Sequence, residues 1–115
     1  MTFKVQFRLR IYRDEGIAIG PGKVALVEAI AETGSISGAA RRLGMSYRRA
    51  WLLVDELNRS LRKPAIVGVA GGRHGGGATL TSMGEELVRR YRSVETTSRT
   101  AAAADLASLT RMLAP

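Results

Sequence analysis

Arg48 and Arg49 stand side by side just after Ser46 and Tyr47, at the start of a helical pattern that runs to about Arg62. Guanidinium groups present planar forks of donors that match base edges and phosphate oxygens. The helix that carries them is amphipathic. Ala50, Val54, Leu57 and Leu61 recur at i, i+4, i+7 and i+11 as one apolar stripe, and Arg48, Arg49, Leu52 and Arg59 fall away from it. Trp51 lies at the edge of the stripe and is expected to pack, because large aromatics usually supply burial. A solvated surface helix is the plain alternative for any arginine pair, so the weight rests on what surrounds this one.

Upstream, Ser37 to Leu43 forms a shorter helical pattern rich in Ala and Arg, and Gly44-Met45-Ser46 separates the two. Helix, short glycine-bearing turn, longer helix predicts a helix-turn-helix with its recognition helix over 46–62. Ser46 is expected to cap that helix, and Ser35 or Ser37 the one before it, since a hydroxyl can accept from unpaired first-turn amides. Ala39, Ala40 and Leu43 are expected to pack the two helices together.

Pro64 ends the recognition helix. AIVGVA at 65–70 and ATLT at 78–81 flank a glycine tract holding Arg73 and His74. This predicts a two-stranded hairpin with a basic tip, a wing, whose glycines let the backbone approach a phosphate closely. A disordered loop would share that composition; placement directly after the helix-turn-helix favours the wing.

At the N-terminus, Phe3, Val5, Phe7, Leu9 and Ile11 alternate with Lys4, Gln6, Arg8, Arg10 and Tyr12, which predicts a half-buried strand over 3–12. Asp14-Glu15-Gly16 should turn the chain, with Ile17 and Ile19 continuing the sheet. Gly20-Pro21-Gly22 should open a helix to about Thr33, with Val24, Val27, Ile30 and Ala31 inward and Gly34 as its stop. No phosphate-loop glycine spacing is present there. A last helix should begin at Thr81 or Ser82, with Ser82 and Glu85 as a capping box. Its stripe Met83, Leu87, Tyr91, Val94 is out of register with Ala102, Leu106, Leu109, Leu113, so a break is expected near 96–100, where TTSRT is poor helix sequence.

The chain has 115 residues and a net charge of +8, which suits one domain with a polyanionic partner. Residues 1–13 carry Lys4, Arg8, Arg10 and Arg13 without an acid, and 35–63 are again strongly basic. There is no cysteine and a single histidine, so neither a disulfide framework nor a thiolate metal site is expected. No apolar run reaches the ~18 residues of a membrane span, and the N-terminus does not read as a targeting peptide. A cytoplasmic location is the expectation. No nucleophile–base pair, metal cluster or carboxylate pair stands at useful spacing, so no enzyme, cofactor or metal is expected.

GPGKVALVEAIAETGSISGAARRLGMSYRRAW at 20–51 and GGRHGGGATLTSMG at 71–84 resemble the N-terminal DNA-binding domain of the ModE-type, molybdate-dependent regulators and, more distantly, LysR-type winged helices. The resemblance covers about residues 3–95. It implies a bacterial regulator, dimeric through its terminal helix, with the recognition helix in the major groove. Molybdate-sensing members carry C-terminal oxyanion-binding domains, for which a chain stopping at Pro115 has no room, so the effector stays unassigned.

The expected fold is mainly α with a small antiparallel sheet: a winged helix-turn-helix over 1–81 with an N-terminal strand, then a long C-terminal dimerisation helix or helices over 82–115. The candidate DNA-contacting set is Ser35, Ser37, Ser46, Tyr47, Arg48, Arg49, Leu52, Arg59, Arg73 and His74. The dimerisation set is Leu87, Tyr91, Val94, Leu106 and Leu109. The expected partners are double-stranded DNA with a palindromic operator and a second copy of the chain. The alternative is a protein-interaction or RNA-binding module built on a winged helix; RNA binding would favour exposed aromatics, for which Tyr12, Tyr47 and Trp51 are the candidates.

Overall fold

Residues 2–70 and 76–115 are described by the structure, a computed structural model; Arg73 and His74, at the expected wing tip, lie outside them. The elements are β1 (Ile11–Arg13), β2 (Gly16–Ile19), α1 (Pro21–Thr33), α2 (Ile36–Leu43), α3 (Tyr47–Ser60), β3 (Ile66–Val69), β4 (Gly77–Leu80), α4 (Ser82–Ala101) and α5 (Ala103–Arg111). β1–β2 and β3–β4 are separate antiparallel hairpins. The architecture is a winged helix-turn-helix with a long C-terminal helical arm.

α1 is the axis of the core. Pro21 fits its first turn, and Gly34 ends it in the left-handed region at φ 79°, donating its N–H to Ile30 O. Val24, Leu26, Val27, Ala29 and Ile30 are all buried, because α2, α3, α4 and β4 pack around this one helix. A helix covered on so many sides has no single apolar stripe. This is why the inward set differs from the expected one: Ala31 is exposed, and Leu26 and Ala29 are core residues. On α2, Ala39 and Ala40 are buried and allow a close approach, while Leu43 at the last turn is exposed rather than packed.

The N-terminal expectation is corrected. Among the described residues before Ile11 there is no strand, and β1 is confined to Ile11–Arg13. The alternation of burial is still present: Val5, Phe7 and Leu9 are half-buried and Lys4, Gln6, Arg8 and Arg10 exposed, while Phe3 and Ile11 stay exposed. The segment lies along α4 instead of a strand. Tyr91 Oη donates to Leu9 O (2.8 Å), Arg99 donates to Val5 O (3.1 Å), and the Arg99 guanidinium covers the Phe7 ring at 5.3 Å. Burial pushes the Tyr91 phenol above its ordinary range, with Glu95 adding to the shift. Asp14, at φ 54°, makes the tight turn between β1 and β2, a conformation its short polar side chain tolerates.

α4 starts one residue earlier in its capping than the sequence suggests. Thr81, not Ser82, is the N-cap: its Oγ1 accepts from Gly84 N (3.2 Å) and donates to Pro64 O (2.6 Å). The Ser82–Glu85 box is therefore not formed. α4 also runs unbroken through 96–100 and ends at Ala101, with the break at Ala102. The threonines there lower helix propensity by only a few tenths of a kcal/mol each. Arg99 is anchored to the N-terminal segment, and Thr96 Oγ1 returns a hydrogen bond to Arg92 O (3.1 Å). Arg92 ties α4 to α1: Nε donates to Glu28 Oε2 (3.0 Å) and Nη1 to Glu95 Oε1 (2.6 Å). It is thus half-buried and engaged, whereas Arg89 and Arg90 face solvent. Beyond Arg92 the helical arm leaves the core, and the radius of gyration is 17.0 Å, against about 13 Å for a compact chain of this length.

α4 meets the residue before β3 backbone to backbone. A Cβ on Gly84 would fall well inside contact distance of the Ala65 carbonyl oxygen. Gly84→Ala is therefore expected to force a backbone shift and cost about 1–3 kcal/mol, read as a lower urea midpoint at unchanged m-value.

Candidate nucleic-acid interface

The turn that sets α3 on the surface is built from local hydrogen bonds. Ser35 Oγ caps α2 by accepting from Gly38 N (2.9 Å), and Ser46 Oγ caps α3 by accepting from Arg49 N (3.1 Å). Gly44 takes φ 68° between them, and Met45 N donates to Ala40 O (3.0 Å). Ser37 lies exposed beside Ser35, Oγ to Oγ 3.5 Å. Both caps use the hydroxyl oxygen as acceptor, which leaves the hydroxyl proton available to an outside oxygen.

Four sides of α3 can be told apart. Ala50, Val54 and Leu57 are buried, with Leu53 and Leu61 packed against the core. The side opposite carries Arg48, Leu52, Asp55 and Arg59. Arg59 is not free: its guanidinium lies 2.8 Å from Asp55 Oδ2, one turn away. Between core and outer face, Tyr47, Trp51 and Asn58 border the β3–β4 hairpin, lining with Ser35, Ser37 and Gly77 an open groove of about 390 Å³. On the other border Arg49 and Glu56 turn toward β1–β2. The adjacent arginines therefore occupy different faces, as ~100° per residue requires. Arg48 shares a surface with Tyr47, Trp51 and Leu52, and Arg49 does not.

Two residues of this face escaped the sequence reading. Trp51 is 48% exposed and does not pack into the core, contrary to expectation. The signal was present, for Trp51 lies one turn from Tyr47 and shares its side. Asn58 had none. Its Oδ1 accepts from Ala65 N (2.8 Å) and Ile66 N (3.2 Å), and its Nδ2 donates to Ile66 O (3.0 Å), so one side chain pins the start of the wing to α3. From the far strand, Ala78 N donates to Gly34 O (2.9 Å). A Cβ on Gly77 would stand 2.7 Å from that same oxygen. The hairpin is thereby held against the helix-turn-helix at both strands. No cluster of metal-ligating side chains occurs among the described residues, and no helix there is long and apolar enough to cross a membrane.

Residues 22–85, more than half of the chain, match the family described as bacterial regulatory helix-turn-helix protein, lysR family. The chain belongs to this family. Within it, the chain is similar to the molybdenum-pterin-binding protein MopB of Rhodobacter capsulatus, 46% identical over 80 residues covering 70% of this chain and 30% of that protein. It is similar also to the molybdenum transport protein ModE of Azotobacter vinelandii, 41% identical over 88 residues covering 76% of this chain and 33% of that one. These similarities identify a ModE-type helix-turn-helix domain, and the chain spans about a third of the length of these relatives. Among solved structures, full-length LysG from Corynebacterium glutamicum with bound effector Arg superposes with a TM-score of 0.58 at 20% identity, over 82% of this chain and 30% of that one. At that identity the likeness speaks for the winged-helix fold alone.

Asn58 generates a prediction for this lysR-family chain. Asn58→Ala strands the amides of the buried Ala65 and Ile66, so a loss of about 1–3 kcal/mol is expected. Hydrogen exchange at these two amides should quicken more than at Val27 or Ile30 in the core.

Proposed function

We propose that the chain is a sequence-specific, double-stranded-DNA-binding transcriptional regulator acting in the cytoplasm, with α3 in the major groove and the wing at 71–78 on the phosphate backbone. One observation carries the reading: Arg48, Tyr47, Trp51 and Leu52 form an exposed surface at the capped start of α3, beside a hairpin held to that helix, in a lysR-family chain. Arg48 is the base-reading candidate, since it has no carboxylate partner among the described residues. Leu52 and Trp51 offer apolar contact to thymine methyls. Ser35, Ser37 and Ser46 are placed to meet phosphates around the turn, and Arg73 and His74 would do so from the wing. Regulation rather than catalysis is in keeping with relatives such as the transcriptional regulator ModE of Yersinia pestis.

A palindromic operator needs two copies of α3, and the helical arm is the proposed source of the homodimer, residues 1–81 reading DNA and 82–115 pairing. Burial favours a different pairing set from the expected one. Tyr91 is 3% exposed and Leu87 packs against its own core, so both serve their own protomer. Val94, Leu109, Met112 and Leu113 are exposed and Leu106 half-buried, and an apolar surface of this extent favours association.

A second reading, single-stranded RNA binding, is favoured by the exposure of Tyr12, Tyr47 and Trp51, which could stack bases. Selection of genomic fragments by the purified protein, with single-stranded RNA as competitor, separates the two. A two-fold-symmetric duplex site resistant to RNA is expected, and capture of unpaired strands alone would remove the DNA reading. On the selected site, Arg48→Ala should cost about 1–3 kcal/mol and relax preference at one base pair. For assembly, sedimentation should give a dimer at micromolar concentration and a folded monomer for Val94→Arg with Leu109→Arg. A wild-type monomer without DNA would count against the arm.

A further inference from the structure

The recognition helix is bordered on both long sides by a hairpin, and only β3–β4 is the wing. On the other side, the Arg13 guanidinium donates to Ser60 O at the end of α3 (3.0 Å), which fixes β1–β2 beside the helix. Lys23, nearly buried, donates to Ile17 O (2.6 Å) and lies 3.4 Å from Glu56 Oε2, tying hairpin, α1 and α3 together. The Lys23 contacts form the floor of an open groove of about 490 Å³, which Arg10, Tyr12 and Arg49 also line.

The charge lining this groove is unspent. Neither Arg10 nor Arg49 has a carboxylate partner within 4.0 Å among the described residues, and Glu56 is engaged by Lys23. Glu15 lines the same groove and forms no ion pair there. Tyr12 is exposed, with its phenol available as a donor. Cations held around one opening repel each other, and an anionic oxygen between them relieves that repulsion. The position says which anion. A helix fills the ~12 Å width of the major groove, so elements flanking it on both sides face the phosphates of both banks.

We propose that the β1–β2 side of α3 is a second DNA-contacting surface, on which Arg10 just before β1, Tyr12 of β1 and Arg49 of α3 bind backbone phosphates on the bank of the major groove opposite the wing. The proposal rests on the reading of α3 as a recognition helix and divides its arginine pair: Arg48 addresses bases, and Arg49 addresses the backbone.

The test uses the full chain, with Arg10→Ala plus Arg49→Ala, Tyr12→Phe and Glu15→Gln as variants, titrated over a salt series against a selected duplex and a random duplex. The arginine double variant is expected to lose affinity for both duplexes in parallel. Its plot of log affinity against log salt should flatten by about 0.9 for each phosphate contact removed. Tyr12→Phe should weaken both duplexes by a smaller common factor, and Glu15→Gln should tighten both. Ethylation of phosphates on the bank away from the wing should interfere with wild-type binding and not with the double variant. An unchanged salt slope and interference pattern in a variant with wild-type thermal unfolding overturns the proposal while leaving DNA binding intact. Loss of sequence preference at unchanged slope also overturns it, by making Arg49 a base reader. If the wild type binds neither duplex, or prefers anionic vesicles or RNA, this proposal and the DNA reading fall together.

Discussion

The backbone of Ala65 is the point on which the arrangement of wing, α3 and arm depends. Its N–H donates to Asn58 of α3, its carbonyl accepts from Thr81 N at the start of α4, and its side chain is fully buried. Gly84 touches the same carbonyl because it has no Cβ. Three elements meet at the backbone of one residue, and a buried backbone group left unpaired there would cost about 1–3 kcal/mol. Pro64 directly before it, past the end of α3 at Ser60, supplies the carbonyl that Thr81 Oγ1 reaches. The path by which the chain leaves the recognition helix, makes the wing and enters α4 is therefore determined by Asn58, Thr81 and Gly84 more than by any apolar contact.

Those three residues also mark the limit of what the sequence made legible. The helix-turn-helix was readable because each of its signals is local: Gly34 and Gly44 at left-handed φ, Ser35 and Ser46 one residue before their helices. The strands of the wing were readable for the same reason. Asn58 was not, since its bonds span seven and eight residues and leave no periodic trace. The alternation over 3–12 was read correctly as a face and wrongly as a ladder. Period 2 reports which side chains are covered, and here an α-helix covers them. Thr81 displaced Ser82 as cap because Pro64 O and Ala65 O lie within its reach, a tertiary fact. The break expected at 96–100 rested on propensity, which a few anchoring contacts outweigh. In the candidate DNA-contacting set, Arg48 and Arg49 were legible as a pair but not as residues of different faces.

Charge shows the same division between structural and outward use. Glu28 and Glu95 are engaged with Arg92, Glu56 with Lys23, Asp55 with Arg59 and Glu32 with Arg42. Most of these pairs are half exposed, so each contributes little stability. Their larger effect is on where the field is left uncancelled. With much of the acid committed to α1, the outer turns of α3 and α4, the net charge of +8 is concentrated on groups without partners, among them Arg10, Arg48 and Arg49 around the first turns of α3. A polyanion approaching that side meets donors already turned toward it by the core and the caps, which lowers the ordering cost of binding.

α4 joins the two requirements. Its first half is core: Gly84 and Tyr91 are buried, and Leu87 and Val88 pack on the domain. Its second half and α5 carry the exposed Val94 and Leu109, with Met112 just beyond. A single unbroken helix of 20 residues spans roughly 30 Å at 1.5 Å per residue. Paired half-sites lie about 34–36 Å apart or at a multiple of it. In the proposed dimer, the register in which two such arms pair sets the distance between the two copies of α3, because Thr81 joins α4 to the Ala65 anchor and the helix is continuous from Ser82 past Val94. Continuity through 96–100 then has a mechanical consequence. A bend there would uncouple the pairing surface from the reading surface, whereas an intact helix lets the contacts that hold two chains together also select the spacing of the site they read.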